Sequence, residues 1–521
     1  MKNSILYMMM VILLGCSASQ KNIDLSGSWR FRLDPDNVGE IQQWYHTIFN
    51  DPITLPGSLQ EQGYGYDIGI DTKWTGGIVD RAWYTAPEYE KYRQKGNIKV
   101  PFWLNPDKHY VGVAWYQKEI DIPSGWKDRT VQLELERTHW ETTLYIDGMK
   151  QDRQDALSTP HRYFLDGLKP GKHVISIRVD NRVHPDVGVN AHSVSDHTQS
   201  NWNGLTGNLS LSAKPKVYID DVQVYPDVAG KKVKAAIRLK GKTDTGKGKV
   251  LVQIETAKGE SVGKPVHLGF ETTDNDTQLD VTIEAGEEIL LWSEHSPNLY
   301  RLKTTVTSSG EKDERYTQFG FRDFKKNGTR FQVNGQPIFL RGTLECCIFP
   351  LTGYPATGNK YWEKIYRTCK EFGLNHVRFH SWCPPEAAFH VADSMGIYLQ
   401  VECAGWTTVG NGGYLDEWFY AEGDRILKEY GNHPSFCLLA YGNEPGGGNQ
   451  GKYLSDLVDY WKKKDDRRLY TSAAGWPYIP NADYWNTPDP RIQAWGGGLR
   501  SILNAQPPRM DFDYRDIIKK D

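Results

Sequence analysis

The chain holds 521 residues, room for about three domains. Its 62 basic and 65 acidic residues leave a net charge of −3, which excludes a polyanion-binding surface built on bulk charge, whether for nucleic acid or for an anionic membrane. Aromatic residues make up 12% of the chain, with 18 Trp and 29 Tyr. Their flat apolar faces with a polar handle suit sugar rings and sandwich cores alike.

At the N-terminus Lys2 precedes an apolar run over residues 5–14, broken by Tyr7, and then comes Leu13-Leu14-Gly15-Cys16-Ser17. The run is too short to span a bilayer as a mature helix. It resembles a bacterial lipoprotein signal, with residues 1–20 as signal and tether and Cys16 as the lipidated first residue of the mature protein. The expectation is an exported body held at the outer membrane by lipid alone. Six further cysteines (346, 347, 369, 383, 403, 437) lack a CxxC spacing, so no zinc motif is written.

Residues 21–214 read as an all-β sandwich, with strand-like runs at 29–33, 113–120, 130–135, 141–146 and 173–179 separated by Gly, Pro and Asp. Two long loops, 63–108 and 184–203, are rich in aromatic and His residues. Loops of such length are uncommon unless functional, so part of the first is expected over a neighbouring cleft. Residues 215–320 alternate with period two at 217–225, 232–239, 249–255 and 277–283, which fits a small immunoglobulin-like sandwich without visible chemistry.

From residue 321 the pattern changes. Strands at 337–341, 375–379, 397–401, 436–441 and 469–472 alternate with helices at 360–372, 385–395, 416–430 and 452–464. This alternation predicts a parallel sheet of right-handed crossovers, a (β/α)8 barrel in part or whole. Catalytic residues of such barrels project from the C-terminal strand ends. Those ends carry Glu345, then Arg378 and His380, then Glu402, then Asn443 and Glu444, then Trp476.

Glycoside cleavage needs one carboxylic acid to protonate the leaving oxygen and a second carboxylate across the anomeric carbon. Glu444 suits the acid role, and Asn443 suits a hydrogen bond to a sugar hydroxyl. Arg378 would orient acids or ring hydroxyls, and Trp406, Trp476 and Trp495 are candidate stacking platforms. Each has a structural counter-reading: an ion-pair partner for Arg378, a turn histidine for His380, a supporting acceptor for Glu402, packing for the tryptophans. Glu345 reads as structural.

The chain resembles glycoside hydrolase family 2, the family of β-galactosidases, β-glucuronidases and β-mannosidases. Asp24-Leu25-Ser26-Gly27-Ser28-Trp29-Arg30-Phe31 is similar to the opening of its jelly-roll domain, and Gly320-Phe321-Arg322 to its entry into the barrel. Asn375-His376-Val377-Arg378 is similar to N-x-V-R, and Tyr441-Gly442-Asn443-Glu444-Pro445 to the G-N-E acid/base motif. The resemblance implies a retaining double displacement on terminal β-glycosides with Glu444 as acid/base and no organic cofactor. It allows a mono- or divalent cation that no spacing here supports, and Phe379-His380-Ser381-Trp382-Cys383-Pro384 departs from the Ser-His-Tyr-Pro of many members.

The resemblance also implies a nucleophilic Glu on the seventh strand. No Glu follows Glu444, and the stretch from Asp323 to Asp521 is shorter than the ~250 residues of a typical barrel. The expectation is an incomplete barrel with negligible turnover of aryl β-glycosides by these 521 residues. The rival expectation is a surface carbohydrate-binding protein that retains ligand without turnover.

Overall fold

A computed structural model describes residues 22–76, 82–99, 106–196, 201–242, 246–271 and 276–487. The signal-like run with Cys16, and Trp495, lie outside them.

The first unit is a sandwich of two antiparallel sheets. One has five strands, including Val131–His139 and Gly204–Ala213, and the other has six, centred on Gly171–Asp180 and Val113–Ile122. The central pair runs in unbroken register from Val113 opposite Asp180 to Ile122 opposite Gly171. Its inward side chains pack Trp29, Phe31, Trp126, Leu133, Ile175 and Ile177 into one core. Strand Gly204–Ala213 was not read from the sequence, because Gly, Ser and Asn dilute its apolar alternation.

The second unit pairs a three-stranded sheet with a four-stranded one around Val222, Ile237, Val252, Ile254 and Leu302. Two of its strands escape a hydrophobicity pattern: Ser261–Glu271 is mostly exposed and interrupted by Gly and Pro, and Glu311–Phe319 opens on a run of charged residues.

The third unit begins with a small antiparallel sheet, Phe324–Asn327, Arg330–Val333 and Gln336–Ile338. The first barrel strand was expected at 337–341 and is found at Gly342–Glu345. The Asn334-Gly335 turn folds Gln336–Ile338 back onto Arg330–Val333, so the run is spent on a hairpin before the barrel begins. Four more parallel strands follow in sequential order: His376–Phe379, Tyr398–Gly405, Phe436–Gly442 and Leu469–Thr471. Helices Asn359–Glu371, Glu386–Met395, Tyr414–Tyr430 and Gln450–Lys464 connect them. Strand Phe436–Gly442 is buried along its whole length, as a strand covered on both faces must be. Parallel bridges from Asn443 to Ala474 and from Ala474 to Asn486 carry the lip one position further round. The fold is thus two sandwiches and a partial barrel.

Both sandwiches dock on the barrel's outer wall. Arg137 of the first donates to the Cys383 carbonyl (2.6 Å), and Arg162 grips Glu429 with two bonds (2.6 and 2.7 Å). From the second, Trp292 donates to the Asp393 carbonyl (2.8 Å) and the Val224 amide to Asn432 (2.8 Å). Among the described residues all six cysteines are free thiols, five of them buried.

Candidate functional site

The lip of the barrel is built from the strand ends. Asn375 starts the construction: its side chain accepts from the Arg341 amide (2.8 Å) and donates to the Phe339 carbonyl (3.1 Å), pinning the entry to the first strand. Two residues on, buried Val377 fills the barrel, and the alternation of a strand sends Arg378 upward. Arg378 donates to Glu402 Oε1 through Nε (2.6 Å) and to Asn443 Oδ1 through Nη2 (3.0 Å).

Glu402 is fully buried. Its second oxygen accepts from the Ser381 amide (2.5 Å), and Gln400 adds a bond to the first (3.2 Å). Of the two readings of Glu402, substrate contact and supporting acceptor, the geometry fits the second: the side chain is fully buried and both its oxygens are taken by Arg378, Gln400 and the Ser381 amide. It holds Arg378, which in turn fixes the Asn443 carbonyl oxygen and turns that residue's NH2 toward the cleft. A buried ion pair is sound only when its remaining lone pairs are satisfied, and here both carboxylate oxygens are.

Glu444 differs. It sits at φ +37°, a left-handed backbone uncommon for a residue with a side chain, tied by its amide to the Ala474 carbonyl (2.8 Å). Strained positions of this kind cluster at functional sites. Its half-exposed carboxylate makes no hydrogen bond to the described residues. The preceding Gly442 is required by close approach, since a Cβ there would meet the Gly405 carbonyl oxygen at 1.9 Å.

Aromatic groups ring this acid. Trp476 is 45% exposed and donates to the Pro445 carbonyl (2.9 Å), which holds its indole beside the acid's own turn. Trp406 lies 5.2 Å from the His380 ring. Burial and the nearby Arg378 guanidinium push His380 down to about 3, so its ring is neutral over the usual working range. Glu345 lies at the end of the first strand and accepts from the Cys347 amide (2.9 Å), with burial pushing its carboxyl up to about 7.

Three contributors were missed from the sequence. His192, on the long loop of the first sandwich, meets His380 edge-on at 4.6 Å, and its amide donates to Ser381 Oγ (2.8 Å). The same loop is clamped where the Trp406 amide donates to the Val187 carbonyl (2.8 Å), and Gly188 is needed because a Cβ would sit 2.0 Å from the Trp406 oxygen. A place over a cleft was expected for part of loop 63–108; among the described residues the contacts at the lip come instead from the second loop, through Val187, Gly188 and His192. Tyr484 is the second: its hydroxyl is buried without a hydrogen-bond partner, and burial, helped by the Glu402 charge, holds its pKa far above the ordinary value. Trp485 is the third, 60% exposed and 5.3 Å from Tyr478. The only sequence signal for the first was a His-rich loop too long to be idle, and for the others an aromatic pair just past the fifth strand.

Comparison with known proteins agrees with this architecture. The sequence profile "Glycosyl hydrolases family 2" matches residues 217–322, and "Glycosyl hydrolases family 2, TIM barrel domain" matches residues 324–478. The chain belongs to glycosyl hydrolase family 2. It is 26% identical over 388 residues to a putative beta-glucuronidase of Formosa agariphila, covering 71% of this chain and 35% of that protein. It is 23% identical over 473 residues to a beta-galactosidase of Clostridium acetobutylicum, covering 86% of this chain and 48% of that protein. The chain thus spans half or less of the length of these two relatives. Among solved structures, a putative beta-galactosidase from Bacteroides fragilis superposes with TM-score 0.71 at 16% identity, covering 89% of this chain and 66% of that one. A Bacteroides uniformis beta-glucuronidase gives TM-score 0.65 at 18% identity, covering 87% and 52%.

Proposed function

We propose that the barrel lip supplies the acid/base half of a retaining hydrolysis of terminal β-glycosidic bonds, Glu444 serving as general acid and then as general base, while no Glu follows Glu444 to act as the nucleophile that retention requires. The observation that carries this is the contrast at the lip between Glu402, locked by Arg378 and Ser381, and Glu444, whose carboxylate makes no hydrogen bond to the described residues. Protonation of the leaving oxygen needs an acid free to approach it, and activation of water afterwards needs the same group as a base. Asn443 would donate its NH2 to the sugar 2-hydroxyl, and Trp406 and Trp476 would flank the ring. His380 and His192 would close the side nearest the first sandwich.

The test is leaving-group dependence. In a version of the protein that carries the nucleophilic strand, Glu444→Ala makes glycosides with poor leaving groups lose turnover by about 10² or more, while an activated dinitrophenyl glycoside loses far less at the glycosylation step. Equal loss on both substrates would remove Glu444 from the acid role. A second reading is ligand retention without turnover, favoured by one fact: among the described residues the other deep carboxylate at the lip, Glu402, is unavailable as nucleophile. Binding of a galactoside or glucuronide with no release of aglycone would select it. Export on a lipid at Cys16 is part of the same reading, supported by the lipoprotein-like sequence alone, and loss of membrane association in Cys16→Ala would support it.

A further inference from the structure

A cavity of about 470 Å³ lies where the two sandwiches meet the barrel helix Tyr414–Tyr430, on a different face from the lip. All three units line it. Phe164 comes from the first sandwich, and Tyr218, Lys240 and Arg315 come from the second. Lys214 sits at the crossing between them, and the barrel helix adds Lys428.

Most charges in the cavity are spoken for. Arg162 is held by Glu134 and Glu429, Arg425 by Asp155 and Glu422, and Lys240 and Lys428 both lie 3.4 Å from Asp220. Two cations are not. Among the described residues, Lys214 has no carboxylate within 4 Å, and its ammonium lies 5.9 Å from the Tyr218 ring centre. Arg315 spends one donor on the Asp220 carbonyl (3.0 Å) and likewise meets no carboxylate. Burial lowers the Lys214 pKa, the mark of an ammonium removed from water without full compensation. Lys214 is half-buried, with Asp313 and Glu134 favouring its ammonium from beyond 4 Å, and Arg315 is exposed, so a ligand carboxylate would add a direct partner that neither cation has among the described residues.

An aromatic surface lies beside two of the lysines: the Lys214 ammonium is 5.9 Å from the Tyr218 ring centre and the Lys240 ammonium 5.2 Å from that of Phe164. Phe164 is 39% exposed and nearly parallel to Tyr218, with ring centres 6.4 Å apart and planes at 19°. A planar apolar face beside charge-assisted donors matches the two chemistries of an acidic sugar, the C–H face of its ring and its carboxylate.

We propose that this seam is an accessory binding site for a carboxylate-bearing saccharide, with Lys214 and Arg315 taking the carboxylate and Phe164 meeting the ring. The inference assumes that the protein handles saccharides but makes no use of Glu444. A uronate bound here would sit across all three units, on a face other than the lip.

The test is calorimetric titration of the full chain with trigalacturonate and with its trimethyl ester, which keeps the shape and loses the charge. The acid is expected to bind at least about tenfold tighter than the ester, and increasingly so at low salt. Lys214→Met and Arg315→Gln should each weaken acid binding about tenfold or more, Lys214→Arg should restore it, and Glu444→Gln should leave it unchanged. Equal binding of acid and ester overturns the proposal, as does undetectable binding of the acid at millimolar concentration. Loss of acid binding in Glu444→Gln with retention in Lys214→Met also overturns it, by moving the site to the lip. If Glu444 fails its leaving-group test while these titrations hold, only the hydrolase reading falls.

Discussion

In the second sandwich no charged residue is buried among the described residues. Along Lys232–Gly241 the side chains of Val233, Ala235, Ile237 and Leu239 are buried while Lys234 and Arg238 face water, and no charged group needs a specific partner to be buried. At the barrel lip the opposite holds. Gln400, Glu402 and Asn443 are buried beside Arg378, and each is tolerable only because the others satisfy it. The sandwich is stabilised by summed apolar area, which is non-directional and forgiving. The lip depends on directional bonds in a low-dielectric setting, where removing one partner exposes the full desolvation cost of the other. A spacer and a reactive site therefore differ in how burial is satisfied more than in how much is buried.

Substitutions can sharpen this contrast. The largest effect is expected for Glu402→Ala, which leaves the Arg378 guanidinium buried without its carboxylate and costs about 3–5 kcal/mol in a denaturant titration. The same change frees Asn443, so ligand affinity at the lip falls with stability. Next comes Glu444→Gln, expected in a version that carries the nucleophilic strand to cut turnover of unactivated glycosides by about 10² while the melting temperature stays put, because the wild-type carboxylate makes no hydrogen bond to the described residues. Equal melting losses for the two glutamates would erase the distinction between locked and free acid.

A graded effect is expected at Glu345. Its carboxyl, pushed up to about 7 by burial, keeps its proton in the folded chain at pH values where the unfolded chain has lost it. The native state then binds more protons than the unfolded one, so this group's contribution to stability declines as pH rises from about 4.5 to about 7 and levels off above. Glu345→Gln should remove that slope, and melting curves of both proteins from pH 4.5 to 8 check it. The smallest effect belongs to the sandwich: Ile237→Val should cost about 0.5–1.5 kcal/mol and leave ligand binding at the lip unchanged.

The alternation of strands and helices, the apolar run into Asn443 and Glu444, and the period-two strands of the second sandwich were legible because each is a local pattern with its own periodicity. Strand Gly204–Ala213 was not, since its neighbours bury it despite a weak pattern of its own. The first barrel strand was misplaced by a few residues because a hairpin and a barrel strand compete for the same short apolar run, and only the partner strand decides.

The sequence by itself settled the order of the units and the placing of a carboxylate at the end of a buried strand, because hydrophobic period and glycine punctuation act over a few residues. Tertiary structure alone decided that Glu402 is locked while Glu444 makes no hydrogen bond to the described residues, that His192 reaches the barrel lip from another unit, and that Lys214 and Arg315 line one seam. Those outcomes depend on which groups come together after folding, and partners from 24 to 189 residues apart leave no periodic trace in the chain.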